Sequence, residues 1–142
     1  MDKITIERSI WIAAPRERVW LAVTDPVQMA AWFSPGTIIS QKDDTISVRM
    51  GDQDIPVAQI EVVDPPRQVT TRNLMEVGRF TTYTLEEENG GTRFTVIESG
   101  LESLSPDERQ KKLTENGAGW QIAVENLKAY IEGQPLPHPA GL

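Results

Sequence analysis

A rhythm of turn signals ended by one long helical stretch constrains this chain more than any single motif. Gly51-Asp52-Gln53-Asp54, Asp64-Pro65-Pro66, Val77-Gly78 and Asn89-Gly90-Gly91 are centred about twelve residues apart. The segments between them are rich in Val, Ile, Thr, Phe and Tyr and read as an antiparallel meander. Asn89-Gly90 is the clearest hairpin, because both residues accept a positive φ. A further strand is expected within residues 37–41. Residues 4–12 carry isoleucine at every second position except Arg8, the pattern of a half-buried strand. About seven strands are therefore expected.

Helix signals bracket the meander. Pro15 suits a first helical turn, followed by Glu17, Val19, Trp20 and Val23. Asp25 reads as an N-cap, Pro26 as the first helical residue and Gln28 as the capping-box partner of a second short helix. That helix runs to about Trp32 and stops at Pro35-Gly36. At the other end Ser105 caps, Pro106 starts and Glu108 completes the box. Leu113, Gly117, Trp120, Val124, Leu127 and Ile131 then share one face of a helix of roughly 27 residues, closed by Gly133 and Pro135. The expected class is α+β, one domain over residues 1–133. Residues 134–142 form a proline-rich tail expected to be loose.

Composition narrows the function. A chain of 142 residues fits one domain with a single core. No apolar run is long enough to span a bilayer, so membrane insertion is not expected. Met1-Asp2-Lys3-Ile4 lacks the signal-peptide pattern, which makes the cytoplasm the expected location. The net charge of −7 disfavours nucleic acid, and Lys111-Lys112, with Glu115 close by, reads as a solvated helix face. With one His and no Cys, neither zinc nor thiolate chemistry is expected. Asp52-Gln53-Asp54 is too short for a calcium loop. His138, between two tail prolines, is a poor triad base. No phosphate-cradling glycine loop precedes a helix, and no cofactor is expected.

The order of Ile10 to Trp20, Thr24-Asp25-Pro26 with Trp32-Phe33, Tyr83 to Thr92, Glu98-Ser99-Gly100 and Gly119-Trp120 to Glu132 resembles the START-like superfamily, also called SRPBCC or birch-pollen-allergen-like. The closest likeness is to the branch related to the C-terminal domain of the heat-shock-chaperone ATPase activator. The resemblance implies a helix-grip fold: one strand, two short helices, six strands and a long helix gripped by the curved sheet. It also implies a cavity between sheet and helix. Members bind lipids, hormones or polyketides, some are cyclases or hydrolases, and one eukaryotic branch is a co-chaperone tied to the stress response. Such motifs transfer fold better than function.

Carboxylate, arginine, tyrosine and hydroxyl chemistry remains. Phe94, Val96 and Glu98 share one strand face, and Phe80, Thr82 and Thr84 share another. If both phenylalanines point inward, Thr82 and Glu98 line the cavity. Glu98 would then be a general acid or base, or else the partner of an arginine such as Arg8, Arg49 or Arg72, or a rim residue. Arg8 either anchors a ligand carboxylate or turns outward at a frayed or bulged strand start. Trp32 and Phe33 are expected at the cavity mouth, as ligand wall or as plug. Gly117 leaves space for a ligand or for a bulky strand residue. Trp120 is core or cavity floor, with Leu113 and Asn116 at the wider end and Asn116 as an orienting group.

The leading expectation is a non-catalytic or weakly catalytic binder of a small hydrophobic molecule. Its ligand set would be Trp32, Phe33, Phe80, Thr82, Glu98, Leu113, Asn116, Gly117 and Trp120. The second is a cyclase, dehydratase or hydrolase using Glu98 or an arginine. The third is a chaperone-interacting module, ranked last because the chain carries no companion domain of the eukaryotic kind. An exposed strand edge would allow a homodimer.

Overall fold

A computed structural model describes residues 4–141. Seven strands form one antiparallel sheet: β1 (Ile6–Ile12), β2 (Ile39–Lys42), β3 (Thr45–Met50), β4 (Gln53–Asp64), β5 (Gln68–Asn73), β6 (Phe80–Glu88) and β7 (Gly91–Ser99). Their order across the sheet is β1-β7-β6-β5-β4-β3-β2. The helices α1 (Arg16–Thr24) and α2 (Pro26–Phe33) follow β1, and α3 (Pro106–Glu132) closes the chain. This is the α+β helix-grip arrangement, in which the long helix lies against one sheet face.

Local chemistry sets the element ends. The Asp25 side chain accepts from the Gln28 amide at 3.1 Å, and the Ser105 hydroxyl accepts from the Glu108 amide at 3.3 Å. Gly133 ends α3 in the left-handed region at φ 75°. Asn89 and Gly90 take φ values of 49° and 79°, as a two-residue hairpin turn requires. Register shifts between Ile46 and Ser47 in β3, and between Ile60 and Val62 in β4, interrupt the ladders on the far side of the sheet.

The core is one-sided. Ile12, Leu85, Phe94 and Val96 from the sheet meet Val19, Val23 and Trp32 from the short helices and Val124 and Leu127 from α3. Polar ties close the same side. The Trp32 indole donates to the Ala22 carbonyl at 2.7 Å. Lys128 donates to the Trp11 carbonyl at 2.7 Å, and the Ala13 amide donates to Glu132 at 2.9 Å, joining the last turns of α3 to the end of β1.

Three expectations need correction. The tail, expected to be loose from its prolines, is tied to the body at His138. The fully buried Asn126 amide donates to the carbonyls of Trp32 (3.2 Å) and His138 (2.9 Å) and accepts from the His138 amide (3.0 Å). His138 Nε2 also lies 2.6 Å from the Glu125 carboxylate. Arg8 neither turns outward nor sits on a bulge. It pairs in register with Val96 on the inner face, and a Cβ on Gly117 would stand 2.6 Å from its guanidinium. The space at Gly117 is therefore taken by a strand residue.

The third correction concerns β6. Leu85 pairs with Phe94, Tyr83 with Val96 and Thr81 with Glu98, so Thr81, Tyr83 and Leu85 face inward. Phe80 and Thr82 pair with Ser99 and Ile97 on the outer face, where Thr82 meets the Thr70 hydroxyl at 3.0 Å. The two-residue turn dictates this phase: once Glu88 faces Gly91, an even-numbered inward residue on β7 must face an odd-numbered one on β6.

Gly100, just after β7, has φ 93°, and a Cβ there would collide with the Gly78 carbonyl. Gly36 has a similar φ of 88° with open space around it. Gly36→Ala is therefore expected to cost about 1–2 kcal/mol from backbone strain alone. Gly100→Ala, adding the collision, should cost about 3 kcal/mol or more in urea unfolding. Equal losses would contradict the close approach of the two segments.

Candidate functional site

The inner face of the sheet is not fully covered. Alongside the core, between α2, α3 and strands β2 to β6, lies a cavity of about 700 Å³. Sheet residues such as Ile46, Val48, Val57, Ile60 and Thr71 make one wall, and Trp20, Met29, Phe33 and Trp120 make much of the other. The aromatic rings are in contact: Phe33 and Trp120 have centroids 5.7 Å apart, and Tyr83 meets Trp120 edge-on at 6.1 Å.

Trp120 is held by Glu98. The Trp120 indole N–H donates to Glu98 Oε1 at 3.0 Å, and Asn116 Nδ2 donates to Oε2 at 3.0 Å. Arg79 Nη1 donates to Oε2 at 2.9 Å. Arg79 and Glu98 are 3% and 5% exposed, so this is a buried, multiply bonded ion pair. Arg79 also reaches Glu76 at 2.6 Å, and Glu76 reaches Lys112 at 2.8 Å. A charge chain thus runs from the cavity wall to the half-buried surface. Glu98 does have an arginine partner, but it is Arg79 and not Arg8, Arg49 or Arg72. Arg49 pairs with Asp54, and Arg72 with Glu61.

Hydrogen bonds from Lys112 in particular, with Arg79 adding to them, hold the Glu76 carboxyl below the usual carboxylate range. Burial pushes the Tyr83 phenol well above its ordinary value. Tyr83 is nonetheless partly accessible, because it lines the cavity. Among the described residues no cluster of His, Asp or Glu is arranged to hold a metal ion. No helix there is long and apolar enough to cross a membrane.

Of the residues singled out in the sequence, Trp32, Phe33, Glu98, Asn116 and Trp120 line the cavity. Trp32 is also core, at 1% exposure. Phe80, Thr82, Leu113 and Gly117 do not line it: the first two lie on the outer face, Leu113 is half-buried on α3, and Gly117 is covered by Arg8. Sequence reasoning missed Thr81, Tyr83 and Arg79. The Asn89-Gly90 turn was the signal that would have found Thr81 and Tyr83, since it sets the phase of β6.

The family described as "Activator of Hsp90 ATPase homolog 1-like protein" matches residues 13–132. No curated protein matches the chain. Solved structures share the fold. The Aha1 dimer of Colwellia psychrerythraea is similar at TM-score 0.73 and 18% identity, over 91% of this chain and 96% of that one. SSP2350 of Staphylococcus saprophyticus is similar at TM-score 0.72 and 23% identity, over 92% and 94%. DynU16, a protein of the dynemicin biosynthetic locus, is similar at TM-score 0.72 and 26% identity, over 97% of this chain but 49% of that one.

Two outcomes test the charge chain. Glu98→Ala leaves Arg79 buried with only Glu76 to face it, so it should cost about 3 kcal/mol in urea unfolding. A change under about 0.5 kcal/mol would contradict a buried pair. For Glu76 the folded value lies below the unfolded value of 4.5, so its stabilisation is present above that pH and is lost as pH falls below it. The melting temperature should therefore drop more steeply below about pH 5 in the wild type than in Glu76→Gln. Parallel acid limbs would remove Glu76 from the chain.

Proposed function

This chain belongs to the family of activator of Hsp90 ATPase homolog 1-like proteins, within the START-like superfamily, and we propose that it binds a small hydrophobic molecule in the cavity between sheet and α3. The observation that carries the reading is the cavity itself, about 700 Å³ lined largely by aliphatic and aromatic side chains. The cavity is open to solvent on one side, and known pockets for drug-sized ligands span about 300–1,000 Å³. A module working only through its outer surface would gain nothing from an apolar recess of this size.

Glu98 supports binding over catalysis. Both carboxylate oxygens already accept from Arg79, Asn116 and Trp120, so the group orients the cavity wall and has little capacity left for proton transfer to a ligand. DynU16, about half of which this chain matches, is a protein of the dynemicin biosynthetic locus, and a small-molecule role for the present chain is in keeping with that setting. The lipid and polyketide classes both fall within it. A cytoplasmic location suits an intracellular carrier. The Colwellia relative was solved as a dimer, and a dimer of this chain would pair through β2, the short strand at the sheet edge far from α3.

The test is native mass spectrometry of protein purified without detergent, compared with Ala58→Trp, which places an indole in the cavity from β4. The wild type should carry a native-only mass excess of small-molecule size, and the variant should lose it while keeping its far-ultraviolet circular dichroism. An excess that persists in folded Ala58→Trp would place the ligand elsewhere.

A further inference from the structure

The cavity's charges and hydrogen-bonding groups narrow the ligand further, on the premise that the cavity is the ligand site. No lysine, arginine or histidine lines it among the described residues. Arg79 is the cation beside it, but it stands behind Glu98 and is divided between Glu98 and Glu76. An anion entering the cavity would lose its hydration, find no counter-charge and face the Glu98 carboxylate. A cation fares little better. Three donors already surround Glu98, and Asp44, the other lining carboxylate, is solvent-exposed.

Among the described residues several lining donors are free, the Thr71 and Thr81 hydroxyls, Asn73 Nδ2 and the Tyr83 hydroxyl, and of these only Tyr83 stands on a ring in contact with Trp120. The Tyr83 hydroxyl belongs to a residue lining the cavity and has no hydrogen-bond partner among the described residues, unlike the Trp120 indole and the Asn116 amide, which are committed to Glu98. It stands one inward position along β6 from Thr81, which faces Glu98 across the ladder. Its ring sits edge-on to Trp120, and Trp120 packs on Phe33, so the donor lies at an aromatic end of the cavity. A neutral phenol in such a place donates to a neutral acceptor; it offers a carboxylate no charge.

We propose that the cavity selects an uncharged, aromatic or polycyclic ligand bearing a carbonyl-type acceptor, that this acceptor takes the Tyr83 hydroxyl proton in a hydrogen bond, and that carboxylate-bearing ligands such as free fatty acids are excluded. The rings of the ligand lie against Phe33 and Trp120, and the rest of the molecule fills the aliphatic space under Ile46, Val48 and Ile60.

Three fluorescent naphthalenes of similar size provide the test: prodan (a neutral ethyl ketone), the dimethylaminonaphthoate with a carboxylate in place of the ketone, and dimethylaminonaphthalene with neither. Prodan should bind with a blue shift, and the naphthoate about tenfold or more weaker. Tyr83→Phe, which keeps the ring contacts, should weaken prodan about three- to tenfold and leave dimethylaminonaphthalene unchanged. If the naphthoate binds as well as prodan and Ala58→Trp abolishes both, the cavity is the site but the ligand-class inference is overturned. Equal loss of prodan and dimethylaminonaphthalene in Tyr83→Phe would overturn the hydrogen bond. If no probe binds, or Ala58→Trp changes nothing, the cavity reading itself falls and takes the inference with it.

Discussion

The carboxylate of Glu98 is the junction on which the cavity wall depends. It sits near the end of β7 and accepts from Arg79, just before β6, and from Asn116 and Trp120 on α3. Sheet and long helix are thereby pinned to each other at one buried point. A buried ion pair of this kind is weak evidence for net stability, because desolvation offsets much of the Coulomb gain. Its contribution is orientation. It keeps the Trp120 ring upright between Phe33 and Tyr83, where a hydrophobic side chain in place of Glu98 would leave the indole N–H unpartnered. The close approach of Gly100 to Gly78 serves the same junction, since it brings the segment carrying Arg79 beside the end of β7.

The cavity follows from where α3 lies. The helix packs chiefly on β1, α1 and α2, and the buried cluster of Ile12, Phe94, Val96, Val124 and Leu127 fills that side. The sheet continues past it through β5, β4 and β3, whose inward residues, such as Ile60, Val57 and Val48, have no helix seated on them, before α2 meets the sheet again at β2. Apolar side chains on that half of the inner face therefore meet space. The function argued here depends on this mismatch between a seven-stranded sheet and one helix.

Much of the fold was legible in the sequence because its signals are local. Asp25 and Ser105 cap the helices they precede, Asn89-Gly90 turns the last hairpin, and α3 spans Pro106–Glu132. Helical and strand spacing reached the cavity lining on α2, β7 and α3, where Phe33, Glu98, Asn116 and Trp120 stand. It failed on β6 because both phases of that strand carry apolar residues, and Phe80 outweighed Tyr83 and Leu85. Composition offered no arbitration there; hairpin register did. Arg79 was missed because it lies just before the first residue of β6, where no strand pattern marks it as buried. The Asn126 clasp on the tail joins residues brought together only by the fold, and proline content alone argued for a loose end.

The most direct test of the account uses the four tryptophans as internal reporters, through the indole N–H signals of nitrogen-labelled protein during a titration with prodan. Trp120 lines the cavity and donates to Glu98, whereas the Trp11 indole donates to the Glu88 carbonyl at the opposite end of the β6–β7 hairpin. The account predicts that the Trp120 signal moves with saturation while Trp11 stays in place. A saturating shift at Trp11 with Trp120 unmoved would put binding outside the cavity and contradict it.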